Sequence, residues 1–198
     1  MKRDLIETAS TSISSSFLSI EKDISLILTK LFFDHKPYNK QLLRLLVIPT
    51  KDCLSNLTNE EYIEKVNNTN LATLVQEGYI KLAPKIAMPE HEKVKSYIIL
   101  TFDNFTPNAT NPEFRDCTIH FDILCHTDYW VMDNYQIRPI KIAGYIDGIL
   151  NKTKLTGIGE LNFMGCNELV LDEVLSGYTL TYRAIHGSDD KIPDREEE

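Results

Sequence analysis

The chain has 198 residues, 42% of them hydrophobic, which is enough for one full core or for a core with a small helical appendage. Its formal net charge of -8 and pI near 5.2 exclude retention on nucleic acid by phosphate neutralisation, which needs clustered Lys and Arg. Nowhere do 18 consecutive apolar residues occur, so no membrane span is predicted.

The N-terminal stretch MKRDLIETASTSISSS has a basic start but no continuous apolar run behind it, which predicts no secretion. Cys53, Cys117, Cys125 and Cys166 are widely scattered and read as reduced thiols rather than a disulfide framework. Ile13, Phe17, Ile20, Ile24, Ile27, Leu28 and Leu31 recur at steps of three and four, predicting an amphipathic helix from about Ser12 to Phe33. Asp34 to Asn39, with Pro37, reads as a break, and the apolar run Gln41 to Ile48 fits either helix or strand. Thr58 as N-cap with Glu61 three residues on predicts a helix over 59–66, interrupted at Asn67. A second helical piece, Leu71 to Gln76, runs to Gly78. Tyr79 to Ile86 follows as a short strand or extended arm, and Pro84, Pro89 and the charged run Glu90 to Lys95 mark a surface connection.

From here the period changes to two. Tyr97 to Phe105 alternates, with Ile98, Leu100 and Phe102 on one face. After a loop dense in Pro and Asn, Cys117, Ile119, Phe121, Ile123 and Cys125 alternate with mostly polar residues, and only Leu124 breaks the pattern. Together these predict a long antiparallel hairpin whose tip projects beyond the core. Pro139 suits the first turn of a helix, and Ile142, Ala143, Ile146, Ile149 and Leu150 form its buried stripe. Gly144 and Gly148, four apart, suggest close backbone packing on their face, against the chain's own sheet or a second subunit. Leu161 and Phe163 belong to a strand ending near Gly165. An acidic loop leads to Gly177 and a last strand, with Tyr178, Leu180, Tyr182 and Ala184 on one side. The expected fold is α+β: a mainly antiparallel sheet with one central helix packed on it and an N-terminal helical region. One domain spans 1–187, divided into a helical part, 1–95, and a sheet-and-helix core, 96–187; the acidic segment 188–198 reads as a flexible tail.

Two clusters suggest chemistry. Cys117, His120, Cys125 and His126 have zinc-ligand side chains, but on one strand the cysteines lie about 26 Å apart and the histidines project from the other face. Buried thiols and solvent-side histidines are the simpler reading, and no metal or cofactor is expected. Asp103, Asp122, His126 and Asp128 could gather at one side of the hairpin as an acid-base or metal-hydrolase site. Polar strand faces carry Asp and His in any case, and no phosphate loop or nucleophile elbow accompanies them, so no catalytic residue is assigned. Tyr129, Trp130, Met132 and Tyr135 make the loop before the central helix unusually apolar. It is either a lid over the core or an oligomer interface, where aromatics and Met are enriched.

The strand FRDCTIHFDILCH, the helix RPIKIAGYIDGILN, the strand GIGELNFMG and the closing strand SGYTLTYRAIHG resemble, over Tyr97 to Gly187, the layout of tail-terminator and head-tail connector proteins of tailed bacteriophages. That resemblance implies a structural, non-enzymatic virion protein made in the host cytoplasm. It would form a hexamer or dodecamer ring in the phage neck, against portal, neck or tail proteins, with DNA passing through the lumen without specific binding. The long N-terminal helical region departs from the family's compact layout. The competing expectation is a small metal-dependent hydrolase or nuclease using the Asp103, Asp122 and His126 group.

Overall fold

In the computed structural model, which describes residues 20–55, 58–83, 94–109, 115–155 and 159–186, the apolar stripes become helices laid over one face of a twisted five-stranded sheet. Helix α1 covers Ile20–Phe33 and buries Ile27, Leu28, Leu31 and Phe32; the expected stretch 12–19 lies outside the described residues. Helix α2, Pro37–Val47, resolves the ambiguous apolar run as helix. Pro37 does not merely break the chain: it sits at the first turn, where its missing N–H costs nothing. Asn39 fixes the corner, accepting from the Lys36 N–H at 2.9 Å and donating to the carbonyls of Lys30 and Leu31 at the end of α1.

Helix α3, Glu60–Asn68, is capped by Asn59, which accepts from the Glu61 N–H at 2.9 Å, not by Thr58 as expected. It continues through Asn67. Asn70 caps α4, Leu71–Gln76, in the same way, accepting from the Thr73 N–H. Strand β1 is only Ile80–Lys81, parallel to β2, and residues 84–93 lie outside the described residues.

The hairpin strands are β2, Ser96–Pro107, and β3, Arg115–His126, each longer than the sequence suggested; tip residues 110–114 lie outside the described residues. The central helix is α5, Arg138–Leu150, which buries Ile142, Ala143, Ile146, Ile149 and Leu150 as expected. A small hairpin of β4, Lys154–Leu155, and β5, Gly159–Glu160, leads into β6, Asn162–Val170, and the chain returns as β7, Leu175–His186. The sheet order is β1-β2-β3-β7-β6, antiparallel except for β1 with β2. The expected α+β class with a mainly antiparallel sheet is therefore what forms. The acidic segment 188–198 lies outside the described residues.

Register explains the core. Cys117, Ile119, Phe121 and Ile123 pair with Ala184, Tyr182, Leu180 and Tyr178, so both strands turn the same face to the helices. That face and the inner sides of α1, α2 and α5 form one apolar cluster, uniting the helical N-terminal part with the sheet. Leu124 breaks the alternation because the opposite face is also covered at this end: Leu124, Tyr97, Ile99 and Leu175 make a second, smaller cluster.

Three expectations need correction. The stretch from Cys166 to Val170 is strand rather than acidic loop, and the turn after it is closed by Asp172, whose Oδ1 accepts from the N–H groups of Val174 (2.8 Å) and Leu175 (2.7 Å). Gly177 lies inside β7, not before it, paired with Leu124, and the close approach of β3 requires a glycine there, since a Cβ would sit 1.7 Å from the Ile123 carbonyl oxygen. Gly144 and Gly148 face outward, and a Cβ on either would meet nothing within 4 Å, so they make no close packing against the chain's own sheet.

Candidate functional site

The loop between β3 and α5 is built on one side chain. Arg138, the first residue of α5, is 1% exposed, and its guanidinium is satisfied by backbone carbonyls. Nη1 donates to Leu45 (2.7 Å) and Ile48 (3.0 Å), Nη2 to Thr50, and Nε to Tyr129 (3.1 Å). Leu45 and its neighbours end α2, where the last carbonyls lack intrahelical partners and the helix dipole is negative. One cation thus satisfies that helix end and ties it to the loop.

The rest of the loop hangs from this anchor. The Arg138 N–H donates to the Trp130 carbonyl at 2.8 Å, the Met132 N–H to Gln136 at 2.7 Å, and the Asp133 N–H to Lys51 at 3.1 Å. Met132 is buried, with the Cys53 thiol 3.7 Å from its sulfur. Trp130 is half-buried against the main core, its ring 6.4 Å from that of Tyr178. Tyr129 is half-buried with its ring 6.0 Å from the Arg138 guanidinium. Tyr135 differs: it is 95% exposed, and both it and Asn134 take the left-handed conformation at φ 60°. For a Tyr that conformation costs roughly 1–2 kcal/mol. Of the four residues singled out as an interface, Trp130 and Met132 therefore pack on their own core, and Tyr135 alone presents its whole ring to solvent.

The second surface is the sheet face turned away from the helices. His120 Nε2 lies 3.1 Å from Asp103 Oδ1, and its Nδ1 lies 3.2 Å from the Thr181 hydroxyl. Thr179 donates to Asp122 at 2.6 Å, Arg183 pairs with Asp116 at 2.5 Å, and Asn108 donates to Asp116 at 2.7 Å. The Asn108 and Arg183 bonds hold the Asp116 carboxyl below the usual carboxylate range. A shallow open groove lined by Thr118, His120, Thr181, Arg183 and Met164 runs along this face.

The suspected acid-base group does not assemble. Asp103 is in register with Thr118, and His126 stands eight residues further along β3, about 26 Å at 3.3 Å per residue. His126 instead has Asp128 at 3.5 Å and accepts from its N–H. Cys117 and Cys125 are buried on the helix side, their thiols pushed up to about 12 by desolvation, while His120 lies on the other face. Among the described residues no group of three or more His, Cys, Asp or Glu could hold a metal ion, and no helix is long and apolar enough to cross a membrane.

Sequence reasoning missed Arg138 and the Asp103–His120–Thr181 chain. The second had a readable signal, since Thr101 opposite His120 places Asp103 diagonally across the hairpin. In comparison with known proteins, the model of the YomW family matches residues 39–184, from α2 almost to the end of β7. No curated protein and no solved structure gives a significant match.

Proposed function

The chain belongs to the YomW family, a phage-type, prophage-like family, and is a phage-related protein; from this we propose that it is a structural virion protein. In this reading it forms an oligomeric ring in the phage neck, as a tail terminator or head-tail connector, with neighbouring portal, neck or tail proteins above and below. The family match over 39–184 carries the phage-related part of this reading, and the neck placement follows from the layout that residues 97–187 share with tail-terminator and connector proteins. Two features of the molecule support it. Its polar side chains on the open sheet face are engaged in pairs, Asp103 with His120, Asp116 with Arg183 and Asp122 with Thr179, along a shallow open groove. Its net charge of -8 suits a channel wall along which DNA slides, because like charge avoids the phosphate contacts that would arrest it.

Within the loop before α5, Tyr135 is the residue we assign to subunit contact. Its ring is 95% exposed and offers a large amphipathic contact area with only two side-chain torsions to order when a neighbour covers it. Native mass spectrometry of the purified chain, alone and with an adjacent neck protein, tests the reading. Discrete hexamers or dodecamers insensitive to chelators are expected. A chelator-sensitive hydrolytic activity abolished by Asp122→Ala in a folded protein would replace it with the hydrolase reading.

A further inference from the structure

We propose that the corner between α1, α2 and α3 is a docking site for the acidic segment 188–198 of this chain, supplied by the same copy or by a neighbouring one. An open cavity of about 420 Å³ lies there, within the roughly 300–1,000 Å³ of ordinary binding pockets. Phe32 at the end of α1, Leu43 of α2 and Val66 of α3 supply its apolar lining. His35, Lys36 and Lys40, all three exposed, supply its basic lining. No acidic residue lines the cavity, and among the described residues no acid pairs with Lys36 or Lys40. Asp34, the acid beside them, is engaged by Lys30 at 2.8 Å; that bond, with the charges of Lys36 and His35, holds its carboxyl below the usual carboxylate range. The α2 dipole adds its positive end, with no acid in the first turn to answer it. In a chain of net charge -8, this corner carries a local positive surplus beside an apolar floor.

Charge and side-chain type together select the occupant. Segment 188–198, which follows β7, carries six acidic and two basic residues, a net charge of -4 and so half of the chain's total. Ile192 and Pro193 are its apolar residues, with Asp189 and Asp190 on one side and Asp194 on the other. An apolar pair flanked by carboxylates matches an apolar floor flanked by ammonium groups. In this arrangement Ile192 and Pro193 cover Phe32, Leu43 and Val66, and the aspartates meet Lys36 and Lys40. Tethering makes a weak match sufficient: a segment tethered to its site has an effective concentration on the order of 1 mM, so a dissociation constant of about 1 mM half-fills it. The inference is independent of the ring reading, because the same groups meet whether the segment comes from its own copy or from a neighbour.

The full-length chain is treated with a water-soluble carbodiimide, which couples a carboxylate directly to an amine it touches, and the linked peptides are identified by mass spectrometry. Amide links from Lys36 or Lys40 to acids of 188–198 are expected at least about fivefold above links from the same acids to the exposed Lys141 and Lys152. Raising the salt to about 0.5 M shortens the screening length to roughly 4 Å and should cut those links at least threefold. Ile192→Asp keeps the segment acidic but removes its anchor, and should cut them by a similar factor with an unchanged circular dichroism spectrum. A purely electrostatic encounter would instead leave them unchanged or increase them. Mixing isotope-labelled with unlabelled copies separates the two sources, since links between unlike copies come from a neighbour. Equal coupling to Lys141 and Lys152, no coupling to Lys36 or Lys40, or links undiminished by Ile192→Asp overturn the proposal. Coupling of Lys36 or Lys40 to acids within 1–187 of a second copy, in place of the segment, gives the cavity a different occupant and likewise overturns it.

Discussion

Arg138 shows how one residue can organise a loop that the sequence leaves ambiguous. An arginine at a helix start reads as a surface charge, and its partners Leu45, Ile48 and Thr50 lie about ninety positions earlier, beyond any local pattern. Arg138→Met keeps the stem but strands several buried carbonyls, and should cost about 2–4 kcal/mol in urea denaturation. The buried acids make a second residue-scale prediction. Burial pushes the Cys117 and Cys125 thiols up to about 12, and burial with a bond to Asp147 raises Tyr182 further. In the unfolded chain those thiols ionise near their ordinary value of 9.0, so above it the unfolded state sheds protons that the fold retains. Their contribution is whole below pH 9 and is lost as pH rises toward 12. The melting temperature should fall over that interval, and less steeply in a Cys117→Ala, Cys125→Ala variant. A flat profile in the wild type would contradict the burial of these groups.

At the scale of elements, legibility followed exposure. The hairpin and α5 have one face on the core and the other turned away, so their periods of two and 3.6 residues stand out in the sequence, and the stripe Ile142, Ala143, Ile146, Ile149 and Leu150 was readable directly. β6 is exposed along most of its length, has no buried face to impose alternation, and so was read only as far as Gly165. The glycines separate what the sequence could not. Gly177→Ala drives a Cβ into the β3 backbone and should destabilise by more than about 3 kcal/mol, as other strained core changes do. Gly144→Ala and Gly148→Ala enter open space on a helix and should each stabilise the isolated chain by up to about 1 kcal/mol. Thermal melts of the three variants decide this. If Gly144→Ala or Gly148→Ala instead lowers oligomer content while raising the melting temperature, the outer face of α5 belongs to a subunit contact.

For the whole molecule, the fold class was readable because helical periods dominate the chain before Gly78 and, from Ser96 on, long alternating segments flank one amphipathic helix. The function was not, because no set of side chains spells out a reaction and the polar groups of the open face serve one another. Trp130 and Tyr135 sit five residues apart in one loop and separate folding from assembly. Trp130→Ala removes part of the core's cover and should cost about 1–3 kcal/mol of stability. Tyr135→Ala should leave stability unchanged and, if rings form through this loop, weaken each contact by about 2 kcal/mol, a loss repeated at every subunit. The ring reading meets its most direct test in quantitative mass spectrometry of purified particles of the phage that encodes the chain. A structural neck ring predicts six or twelve copies in every intact particle, and absence of the chain from particles that are complete and infectious would contradict it.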